Sequence, residues 1–195
     1  MTAARVATYR QAVRFYDQPS RRVVRVAALA NGDQGLQQLT DAAQAAIEAG
    51  IKKPEAWEWA REIVAHIKPG DRHAEVRAVY DYLAGDEIPY RLDAIGSQIV
   101  PSFEAAAASR GVDCKGKTVL MAVLVGSLGN DVRAVTVDQH VGKPGRANRH
   151  HIYAEWRTPE GPWQAIDPVL ALQLSRPRPG QELPYKIKMV HRSPE

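Results

Sequence analysis

The sequence predicts an α+β fold, on three observations. Apolar stripes at helical spacing fill the first half of the chain. Residues Thr118 to Leu128 (TVLMAVLVGSL) are apolar on nearly every face, as a buried central helix would be. Three β-type runs follow, the last two joined by the short turn Thr158-Pro159-Glu160-Gly161-Pro162, which reads as an antiparallel hairpin. Helices first and strands last is an α+β order. The 195 residues suffice for one compact domain with a real core.

Residues 1–20 are polar and basic and read as an N-terminal arm. Residues 21–87 read as a strand and a helical part packed on the core. Arg22 to Leu29 is rich in β-branched residues and ends at the turn Asn31-Gly32-Asp33, so it reads as a strand. Leu36, Leu39, Ala43, Ala46 and Ile47 predict an amphipathic helix over 35–49, with Gly50 as its stop. Pro54 opens a second helix, with the stripe Trp57, Ala60, Val64 and Ile67, ended by Pro69-Gly70. Asp71 caps a third, with Val76, Val79, Tyr80 and Leu83 on one face and Gly85 at its end.

Residues 88–170 read as the core that carries the chemistry. Ile88 to Leu92 is short and extended, and Pro89 confines it to an edge or loop. Pro101 to Arg110 is a short Ala-rich helix, and Asp113 to Leu128 the buried one. Val132–Val137, Ile152–Trp156 and Trp163–Ile166 are the strands, and Trp156 and Trp163 are expected to pack across strands beside the site. Residues 171–195 read as a basic, Pro-rich tail on the surface.

Composition excludes several classes. Apolar residues make up 45% and charged residues 25%, so the chain is not disordered in the main. No apolar run reaches the ~18 residues of a membrane helix, and no secretory signal stands at the N-terminus. The single cysteine, Cys114, excludes internal disulfides and multi-thiol zinc sites. The net charge of +4 is unevenly placed. Residues 1–26 hold six arginines and one acid, Asp17, and residues 170–195 hold five cations against Glu182 and Glu195. Basic ends around an acidic middle suit an acidic protein partner better than nucleic acid.

Cys114 falls at the start of the buried helix. Helix-end amides, Lys115 and Lys117 favour a thiolate there. A nucleophilic thiol needs a base, and the base an orienter. His151 opens a strand on the face opposite Ile152, Ala154 and Trp156. Asp167 ends the next strand, and the hairpin brings it towards His151. Cys114, His151 and Asp167 are therefore the candidate catalytic residues. His150 has the wrong strand parity. His140, His150, His151, Asp138 and Cys114 lack metal-ligand spacing, so no metal is expected. Gln98, upstream of Pro101, reads either as a loop hydrogen-bonder or as an oxyanion donor.

Gly111-Val112-Asp113-Cys114 before an apolar helix resembles the Cys box of the transglutaminase-like superfamily. His151-Ile152-Tyr153-Ala154-Glu155 resembles its His strand, and Trp163-Gln164-Ala165-Ile166-Asp167-Pro168 its Asp-Pro ending. The upstream order, including an Ile-Pro-Tyr segment, is similar to small phage or prophage members in bacteria. The resemblance implies a papain-like core, with the Cys helix packed on a small antiparallel sheet and extra helices before it. It implies a Cys-His-Asp acyl-transfer site on peptide, isopeptide or glutamine amides, hydrolytic rather than cross-linking, with no metal or organic cofactor. It places the protein in the bacterial cytoplasm or a virion, with a peptide or protein substrate and no membrane. Two departures stand in the Cys box: Val112 lies between glycine and aspartate, and Lys115-Gly116 replaces the acidic pair of phage-type members. With the basic ends, they motivate an alternative, a non-catalytic member serving virion or tail assembly with phage structural proteins as partners.

Overall fold

The computed structural model describes residues 24–25, 33–92, 99–140, 149–169 and 186–192. The N-terminal arm, Gln98, the loop 142–148 and residues 171–185 lie outside them.

Among the described residues five helices precede the main sheet. They are α1 (Asp33–Ile51), α2 (Pro54–Val64), α3 (Arg72–Ala84), the short α4 (Phe103–Ala107) and α5 (Cys114–Ser127). A two-residue strand β1 (Val24–Arg25) pairs antiparallel with β2 (Ile99–Val100). The four-stranded sheet contains β3 (Asp131–His140), β4 (Arg149–Arg157), β5 (Gln164–Ile166) and β6 (Lys186–Arg192), in the order β5-β4-β3-β6. Each of its pairings is antiparallel, and β3 carries a register shift between Asp138 and Gln139.

Caps set the helix starts. Asp71 accepts from the Ala74 N–H, Ser102 from Ala105, and Asp113 from both Lys115 and Gly116. The α5 residues from Lys115 to Gly126 are all buried, because helices lie on its flanks and the sheet lies against it. Ala134, Ile152, Ala154 and Trp156 of the sheet and Ile47, Val79 and Phe103 of the helices share one apolar core with it. Each such Val, Leu, Ile or Phe contributes about 1.5–3 kcal/mol through burial. A buried pair of hydroxyls, Thr40 and Thr136 at 2.7 Å, ties α1 to β3.

Three expectations change. Gly50 does not stop α1, which runs on to Ile51. A Cβ at Gly50 would lie 2.6 Å from Val123 Cγ2, so glycine there admits α5. The α2 stripe is Ala56, Trp59, Ala60 and Val64, while Trp57 is 47% exposed with Arg61 over its ring at 4.5 Å. The stretch read as a surface tail contributes β6, which pairs along β3.

Candidate active site

Cys114 is the first residue of α5 and is half-buried. Asp113 precedes it in extended conformation, and one carboxylate oxygen takes the Lys115 and Gly116 N–H groups at 3.0 and 3.2 Å. Two of the amides that would favour a thiolate are thus already bonded. The Cys114 N–H is not among those that Asp113 takes. The two lysines have partners as well. Lys115 pairs with Asp113, and Lys117 donates to the Leu83 and Ile88 carbonyls. The expected nearby positive charge therefore does not come from these lysines as free cations.

It comes from His151. The ring sits on β4, buried, with Nε2 2.6 Å from the Asp167 carboxylate just beyond β5. Asp167 is itself fixed, since its other oxygen accepts the Val169 N–H at 3.0 Å. The remaining ring nitrogen, Nδ1, is left for Cys114, whose side chain is hydrogen-bonded to His151. Burial acts to lower the imidazole pKa, but Asp167 and Cys114 more than offset it and raise it to about 10. The imidazole is then charged at neutral pH, beside the Cys114 side chain to which it is bonded. The Thr118 hydroxyl lies 2.8 Å from the Cys114 carbonyl and 3.0 Å from the Ile152 carbonyl, so it links the thiol's helical turn to the strand that holds His151.

Sequence reasoning missed a wall of this site. Tyr90 forms a parallel bridge with Val112, two residues before Cys114. Val112 N–H donates to the Pro89 carbonyl at 3.1 Å, and Arg91 N–H to the Val112 carbonyl at 2.9 Å. Burial, then the charges of Cys114, Asp113 and Asp167, push the Tyr90 phenol up to about 12, so it stays a hydrogen-bond donor at neutral pH. The Ile-Pro-Tyr segment was the only signal for it, because a two-bond ladder between distant loops has no periodicity. Tyr80 of α3, buried and also raised by burial and by the Asp167 charge, lies near the Asp167 carboxylate.

The two departures in the Cys box fit each other. A Cβ on Gly116 would lie 2.5 Å from Val112 Cβ, so the valine occupies the place a side chain at 116 would need. Gln98 lies outside the described residues. Trp156 is buried among the helices, edge-on to His73 at 5.2 Å, whereas Trp163 lies under Arg133 and Arg157 at 4.0 and 4.5 Å. Among the described residues no three His, Cys, Asp or Glu side chains gather as metal ligands do, and no described helix is long and apolar enough to cross a membrane.

A family profile for the transglutaminase-like superfamily matches residues 58–168, more than half of the chain. A solved structure from Cytophaga hutchinsonii, named "a putative cysteine protease", is similar at 14% identity with a TM-score of 0.46. The match covers 75% of this chain and 54% of that one, so the chain spans about half the length of that protein. No curated protein matches.

Proposed function

This chain belongs to the transglutaminase-like superfamily, and on that premise we propose that it is a cysteine acyl-transfer enzyme. It would open peptide, isopeptide or glutamine amides through a thioester on Cys114, with water as the acceptor. One observation carries this reading: His151 is bonded to Asp167 on one nitrogen and to Cys114 by its side chain.

The Cys114 thiolate attacks the amide carbon, and the carbonyl π pair moves to oxygen. The Cys114 N–H is the first donor available to that oxyanion. Collapse breaks the C–N bond, and the His151 imidazolium gives its proton to the leaving amine or ammonia. The neutral imidazole then takes a proton from water as the hydroxide adds to the thioester. A second collapse expels the thiolate, releases the acid and leaves His151 protonated again. Asp167 holds the ring orientation throughout. Water is favoured as acceptor because it needs no second binding site for an amine.

Thiol alkylation is the direct test. Iodoacetamide should modify Cys114 at pH 6 at least ~10-fold faster than a free thiol of pKa ~8.5, and His151→Ala should remove the difference. A rate that follows an ordinary thiol would sink the proposal. With glutamine peptides, hydrolysis predicts ammonia release without incorporation of an added primary amine, and incorporation would identify a transamidase.

A further inference from the structure

We propose that Lys117 is a positioning residue for this site: its ammonium clamps the segment from Leu83 to Arg91 against the Cys helix, and so holds the Tyr90 wall beside Cys114. The inference rests on the acyl-transfer reading for its purpose, but not for its structural content.

Lys117 lies one helical turn beyond Cys114 and is 0% exposed. Its ammonium donates to the Leu83 carbonyl, near the C-terminus of α3, and to the Ile88 carbonyl. A helix C-terminus leaves its last carbonyls without partners and carries partial negative charge, so a cation suits it. The two carbonyls flank the turn at Gly85, which gives the chain its exit from α3. Immediately after Ile88, the Pro89 carbonyl and Arg91 N–H bond to Val112. The segment is therefore fastened to the Cys box on both sides of the nucleophile, at Val112 before it and at Lys117 after it. Gly111 adds to the closeness, since a Cβ there would lie 3.0 Å from the Pro89 carbonyl.

Holding a cation in this place opposes folding. Burial lowers the Lys117 pKa to about 8, only partly countered by the charge of Glu87. An apolar side chain of similar length would avoid that desolvation. The lysine therefore contributes through the two bonds that it makes. Those bonds reach main-chain atoms rather than a side-chain partner, so they fix the path of the loop whatever residues it carries.

The test is Lys117→Met in the full chain, read by amide exchange and by turnover. Exchange at the Arg91 and Val112 amides should rise at least ~10-fold while Ala43 and Ile47 in the middle of α1 exchange as in the wild type. Turnover of a glutamine peptide should fall ~10-fold or more in kcat with KM within ~2-fold, as misplacement beside the reacting atoms does. Unchanged exchange at Arg91 and Val112, or an equal rise at all four amides, overturns the clamp. Unchanged kcat overturns the positioning role. Should Lys117→Met fail to fold, Lys117→Gln must give the same local exchange signature at smaller amplitude, and wild-type exchange in that variant overturns the proposal. A wild type that turns over no amide overturns the acyl-transfer reading, while the exchange result still decides the clamp.

Discussion

Asp167 binds through both oxygens, one to His151 and one to the Val169 N–H, and its charge is what keeps the buried imidazole protonated. Asp167→Asn keeps the shape and removes the charge. Burial then weighs against the charged ring without that opposing charge, so the imidazolium is lost at lower pH. Alkylation of Cys114 at pH 6 should fall ~10-fold or more, since each pKa unit is a tenfold change in population. Stability follows the same charge. A histidine raised from about 6.5 to about 10 contributes stability that is full below pH 6.5 and is lost as pH rises through 10. The gap in Tm between wild type and Asp167→Asn should therefore be widest near pH 6 and narrow steadily towards pH 10. A gap that widened with pH would mean that the ring is neutral in the native protein.

At the scale of elements, α5 shows why the altered Cys box is compatible with the fold. Val112 and Gly116 are a matched pair, because the valine Cβ stands where a Cβ at 116 would fall. Gly116→Ala should destabilise by about 1–3 kcal/mol as overpacking does, despite the better helix propensity of alanine. Val112→Gly in the same chain should recover much of that loss, and denaturant melts of the four-member cycle should give a coupling of about 1 kcal/mol or more. Additive losses would show that the two sites relax independently. Such a match was not legible beforehand, because it joins a loop residue to a helix residue in space. Helix patterns were legible where a single stripe fits, as in α3. They failed in α2, where residues 56, 59, 60 and 64 and residues 57, 60, 64 and 67 both keep helical spacing, and the exposed tryptophan was resolved only by packing. Gly50 failed for a related reason: a glycine that stops a helix and one that lets another helix approach look alike in one dimension.

In the whole molecule, α5 is the element that both halves share, and the site lies where its first turn meets the start of β4. That Cys114, His151 and Asp167 come together could be read in advance because each lies near an element end within a short motif. Lys117 and Tyr90 could not, since their partners are main-chain atoms and charges of other segments. β6 was hidden by its neighbours: the prolines and arginines before it suggest a surface tail, although Ile187 and Met189 alternate with Lys186 and Lys188 as a strand would. Among the described residues β6 is the outer strand of the sheet, beside β3. Removing residues 186–195 would expose the β3 edge along Val135–His140, the stretch that β6 pairs. That edge would then carry unpaired N–H and C=O groups flanked by Val135 and Val137, which are buried in the intact chain. The truncated chain should melt at lower temperature and gain a concentration-dependent dimer or larger species in sedimentation, while Cys114 still alkylates rapidly at pH 6 in its monomer. A truncated chain that stays monomeric with an unchanged Tm would show that β6 neither stabilises the sheet nor guards its edge.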